Sequence, residues 1–80
     1  MSVGEITEKM DVLCEDRAVP SNVRRMIKEA AETLKDNDEE LSVRVNTAIS
    51  LLDDASNDPN LARFTRTEIW SLASLLETIQ

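Results

Sequence analysis

The side chains able to do chemistry are few. Cys14 is the one thiol, and the chain holds no histidine and no tyrosine. The commonest general base and the phenolic acid are therefore missing. A Ser or Cys nucleophile would need Lys or a carboxylate as its base. Cys14 follows Ile6 by eight positions on one apolar stripe, with Glu15 and Asp16 beside it. A reactive thiolate wants exposure beside positive charge, so Cys14 reads as a small buried hydrophobe.

Two acidic clusters invite a metal. One is Asp36, Asp38, Glu39 and Glu40; the other is Asp53, Asp54 and Asp58 with Asn57 and Asn60. A calcium loop needs Gly at its sixth position and Glu at its twelfth. From Asp36 those positions hold Leu41 and Thr47, and from Asp54 they hold Pro59 and Thr65. Both fail, and without Glu-x-x-His a buried di-iron site fails too. The acids read as solvated turns and caps. Gly4, the only glycine, cannot build a phosphate-cradling loop. No catalytic, cofactor-binding or metal-binding residue is expected, and the chain does not read as an enzyme. Catalysis by carboxylates alone is the remaining enzymatic alternative.

Arg24 and Arg66 fall near predicted helix starts, where a cation opposes the helix dipole. Asp16 and Asp58, in the preceding turns, are their expected partners in two structural ion pairs. The functional alternative presents the two arginines on one edge to an acidic partner. Arg17, Arg24, Arg25 and Lys28 also form a local basic cluster, and the Arg24/Arg25/Lys28 edge would serve a nucleic-acid-associated accessory protein. The overall balance opposes that alternative. Sixteen acidic residues against nine basic give a net charge of −7, whereas duplex binding needs several cations to displace counterions.

These residues must be positioned by helices. Apolar residues recur at steps of three and four in four blocks, the helical period. The first stripe is Ile6, Met10, Leu13 and Cys14, extended by Val3. The second is Val23, Met26, Ile27, Ala30, Ala31 and Leu34. The third is Leu41, Val45, Ala48, Ile49, Leu52 and Ala55, and the fourth is Ile69, Leu72, Ala73, Leu76 and Ile79. Pro20 must end the first helix and Pro59 the third. Ser21 or Asn22 is expected to cap helix two, and Asp38 or Ser42 helix three. Thr65 and Glu68 fit a capping box for helix four, with Phe64 and Ile69 as its hydrophobic staple. The spacing predicts an all-α, four-helix up-and-down bundle built from two helical hairpins, one domain over residues 1–80.

Helix four carries an apolar excess. At about 100° per residue, Leu75, Leu72, Ile69 and Trp70 sweep roughly 220°, against little more than 100° for one bundle face. Trp70 and Leu75 lie at opposite margins of that arc, and Val43 and Leu51 form a smaller excess on helix three. Trp is enriched at interface hot spots. Trp70 has two readings, a satellite of the core or part of an interface; Trp70, Leu75, Val43 and Leu51 are the candidate interface residues. A homodimer or another protein is the expected partner, with no membrane and no small-molecule substrate. The lone cysteine, the absent membrane-length apolar stretch and the absent signal sequence predict a cytoplasmic protein.

Shifting the sequence by 42 residues lays Asp16 on Asp58, Val19 on Leu61, Arg24 on Arg66, Ile27 on Ile69, Ala31 on Ala73 and Leu34 on Leu76. This resembles a HEAT-type helical repeat, although two amphipathic hairpins share a stripe without any duplication. The segments Asp16–Arg25, Ser56–Asn60 and Thr65–Trp70 resemble a small archaeal family of unknown function, one of the uncharacterised families carried under a UPF label. The resemblance spans nearly the whole chain and is loosest over residues 1–10. It implies an all-α four-helix bundle in an archaeal cytoplasm, and it brings no activity and no catalytic residues. A non-enzymatic interaction module or small adaptor subunit, contacting its partner through helix four, is the function expected.

Overall fold

Each predicted stripe lies on a helix in the computed structural model, which describes residues 2–79, except that Ile79 of the fourth stripe falls just past the end of its helix. The helices are α1 (Val3–Glu15), α2 (Ser21–Lys35), α3 (Leu41–Ser56) and α4 (Arg63–Glu77). Consecutive helices pack side by side, and α4 returns to α1 to close an up-and-down ring through the least extensively packed of the four seams. The molecule measures 33 × 19 × 19 Å.

Ile6, Met10, Val23, Ile27, Leu34, Val45, Leu52, Ile69 and Leu76 point inward and are fully buried. Ala30, Ala31, Ala48, Ala55 and Ala73 join them, and their small side chains let helix backbones approach closely. Cys14, Met26, Ile49 and Ile79 are half-buried at the margin of this core. Leu41, placed on the third stripe, stands 38% exposed because it is the first residue of α3 and its side chain clears the core. The buried hydroxyls bond to their own helices: Thr7 Oγ1 donates to the Gly4 carbonyl (2.9 Å) and Ser56 Oγ to that of Asp53 (2.7 Å).

The helix starts differ from those read in the sequence. Pro20, Glu40 and Ala62 are the N-cap residues of α2, α3 and α4, all with nearly the same extended backbone, and none supplies a side-chain cap. Thr65 and Phe64 lie inside α4, so there is no Thr65–Glu68 capping box, and Phe64 is 75% exposed instead of stapled. The capping box is at α1: Ser2 Oγ accepts from the Glu5 N–H (3.2 Å), and the Ser2 N–H donates to Glu5 Oε1 (3.4 Å).

A common linker explains the other three starts. The carboxylates of Asp16, Asp36 and Asp58 accept from the N–H two residues on, in Ala18, Asp38 and Asn60 (2.9, 3.0 and 2.8 Å). Their backbone carbonyls accept from the N–H three residues on, in Val19, Glu39 and Leu61. This is an Asx turn, a side-chain imitation of a backbone turn. In every linker the next helix begins five residues after the aspartate. The turn sets the start, and a cap side chain has nothing left to define. Val19 and Leu61 anchor the first and last linkers in the core, while the equivalent Glu39 is exposed.

Candidate interaction surface

The two expected ion pairs, Asp16 with Arg24 and Asp58 with Arg66, do not form. Lys35–Asp11 (3.3 Å) is the one ion pair among the described residues. The arginines bind backbone carbonyls instead. Arg24 Nε donates to Val19 (3.1 Å). Arg44 Nε donates to Glu39 (3.0 Å) and its Nη1 to Leu34 (2.9 Å). Arg66 Nε donates to Ser56 (2.8 Å) and its Nη2 to Asp58 (3.0 Å). All three are the fourth residue of their helix and follow the linker aspartate by eight positions. The repeated unit is therefore one linker with its arginine, present three times at intervals of 20 and 22 residues. The 42-residue shift found its first and third copies and passed over Asp36 and Arg44. Both residues are visible in the sequence as Asp-x7-Arg.

The remaining chemical candidates are occupied in similar ways. The Asn22 amide donates to the Asp58 carboxylate across the bundle end. That bond, the Asn60 N–H and, more weakly, the Arg66 charge hold the Asp58 pKa below the ordinary carboxylate value. Cys14 Sγ contacts the Arg24 carbonyl at 3.6 Å, and burial followed by the Asp11 charge raises its pKa, which disfavours the thiolate. No group of three or more Cys, Asp or Glu residues among the described ones is arranged to hold a metal. On the basic edge Arg24 is tied to its linker, which leaves Arg25 and Lys28 exposed.

The apolar candidates divide. Trp70 is 53% exposed. With half-buried Leu75 it lines a shallow depression on the outer face of α4, among the hydroxyls of Thr67, Ser71, Ser74 and Thr78. Val43, 44% exposed, faces a different cleft between α2 and α3, whose walls carry Glu29, Glu32, Asp36 and Glu39. Leu51 packs against the core. The four residues therefore do not form one patch; α4 contributes the coherent part. Two further apolar residues are exposed: Val12 on α1 (69%), which the sequence reading passed over, and Phe64 on α4 (75%), which it placed in a staple. Val12 was detectable as the apolar residue lying off the first stripe.

Residues 2–79 match the model of a family described as an uncharacterised protein family, UPF0147. The chain belongs to the UPF0147 family. It is similar to the UPF0147 protein of Methanosarcina acetivorans, 43% identical over 77 residues that cover 96% of this chain and 79% of that one. It is also similar to the Archaeoglobus fulgidus member, 47% identical over 75 residues covering 94% and 85%. The crystal structure of an unknown-function protein, MMP1188, superposes with a TM-score of 0.93 at 42% identity, covering 98% of this chain and 89% of the other. The UPF family resemblance and the four-helix architecture read from the sequence thus hold. The family is uncharacterised, so membership transfers a fold and no activity. Among the described residues of this UPF0147 chain, no helix is long and apolar enough to cross a membrane.

Proposed function

We propose that this UPF0147 chain is a non-enzymatic protein-interaction module, a small adaptor or subunit that meets its partner through the outer face of α4. The observation that carries this reading is Trp70, 53% exposed on a face that also holds Leu75 and hydroxyls. An indole placed among small polar side chains offers a large rigid apolar surface with a hydrogen-bonding rim, the composition of an interface anchor. Phe64 is a second large exposed apolar side chain on the same helix. The cytoplasm of an archaeal cell is the proposed setting.

Affinity capture from the native cytoplasm, run in parallel with the wild-type chain and Trp70→Ser, tests the reading. A protein retained by the wild type and lost by the variant is the expected result. Trp70 is half in solvent, so the substitution leaves the helical signal and melting temperature nearly unchanged. Identical recovery by both baits overturns the proposal.

A further inference from the structure

A groove of about 280 Å3 follows the seam between α1 and α4, with Lys9, Val12 and Leu13 on one wall and Glu68, Leu72 and Leu75 on the other. This is the least extensively packed seam of the ring. Phe64, Glu68, Ser71 and Leu75 succeed one another on α4 at steps of four, three and four, the spacing of a helix that packs lengthwise against another. Lys9 is exposed and Glu68 half-buried, and neither belongs to the Lys35–Asp11 pair.

We propose that this groove is covered by the same groove of a second copy of the chain, an inference that rests on the interaction reading above. The argument is charge complementarity. The α1 wall carries a cation, the α4 wall an anion, and Val12 and Leu75 supply apolar surface between them. A partner must therefore present an anion and a cation in reversed order around its own apolar strip. A two-fold axis along the seam meets that requirement by construction, because an isologous contact lays α1 of each copy over α4 of the other. Lys9 then faces Glu68 of the second copy, and the pairing occurs twice. The apolar strip closes against its own counterpart, and the exposed Phe64 side chains extend the contact along α4.

Charge reversal with sedimentation velocity tests this on the purified full chain over about a hundredfold concentration range reaching high micromolar. The wild type forms a dimer. Lys9→Glu and Glu68→Lys each weaken it by at least about tenfold, since each places like charges opposite one another at two positions. The double variant Lys9→Glu/Glu68→Lys restores opposite signs and recovers most of the affinity, a rescue that mere loss of fold would not produce. A wild-type chain that stays monomeric throughout overturns the self-pairing. If Trp70→Ser still abolishes capture of a protein from the cytoplasm, the interaction reading survives with a different occupant. A dimer indifferent to both reversals also overturns the proposal, because another face is then in use.

Discussion

Arg24, Arg44 and Arg66 stand in the first turns of their helices, where a cation faces the positive end of the dipole at a cost of about 0.3–1 kcal/mol. Their hydrogen bonds to linker and helix-end carbonyls offset that cost. A planar fork suits the task because one guanidinium can serve two carbonyls with fixed geometry. Arg66 holds the last carbonyl of α3 and the carbonyl of the Asp58 turn together. Arg66→Ala should cost about 2 kcal/mol, within the range for hydrogen bonds to charged groups, and urea denaturation measures it. Arg66→Lys should recover less than half of the loss, since an ammonium is a single point donor. A lysine variant as stable as the wild type would mean that charge, and not the fork, is what the linker needs. The positions of Arg24 and Arg66 were legible because their spacing repeats. Their acceptors were not, because a backbone carbonyl has no letter in the sequence and a nearby aspartate does.

At the scale of elements, α1 differs from its neighbours. It is the shortest helix, and its contact with α4 is the least extensive in the ring, so α2 supplies most of its support. Local opening is easiest where the fewest buried contacts must be broken. Native-state hydrogen exchange should therefore find the amides of α1 opening at lower free energy than those of α2 and α3. Truncating the Ser2–Glu5 box by Ser2→Ala should lower protection in α1 first, by roughly 0.5–2 kcal/mol. Equal protection across the four helices would mean that the bundle opens only as a unit. The helices themselves were legible because Ile6, Ile27, Leu52 and Ile69 repeat their neighbours at helical spacing and are fully buried. Helix starts were less so. Thr65 and Glu68 satisfy a cap pattern that competes with the Asp58 turn, and the turn prevails because it fixes the chain before Thr65 is reached. Ser2 and Glu5 carry the same pattern, and there the box forms.

The whole molecule has a net charge of −7 within a body of 11.5 Å radius of gyration. Its one ion pair among the described residues, Lys35–Asp11, has both side chains about half exposed, and such pairs contribute on the order of 0–1 kcal/mol. Salt can thus remove little attraction, while it screens a repulsion spread over the entire surface. Seven excess charges confined to this volume repel one another more strongly than in the expanded unfolded chain. Shortening the screening length from about 14 Å to about 4 Å relieves that difference by roughly 1 kcal/mol. For a domain of this size the relief corresponds to a rise of about 4–8 °C in melting temperature. Thermal unfolding in dilute sodium chloride and again at about tenfold higher concentration measures it. A fall in melting temperature would require attractive pairs strong enough to outweigh the whole negative surface. With the arginines bound to carbonyls and only Lys35 paired to a carboxylate, no such set is present among the described residues. Added sodium chloride should therefore stabilise the fold.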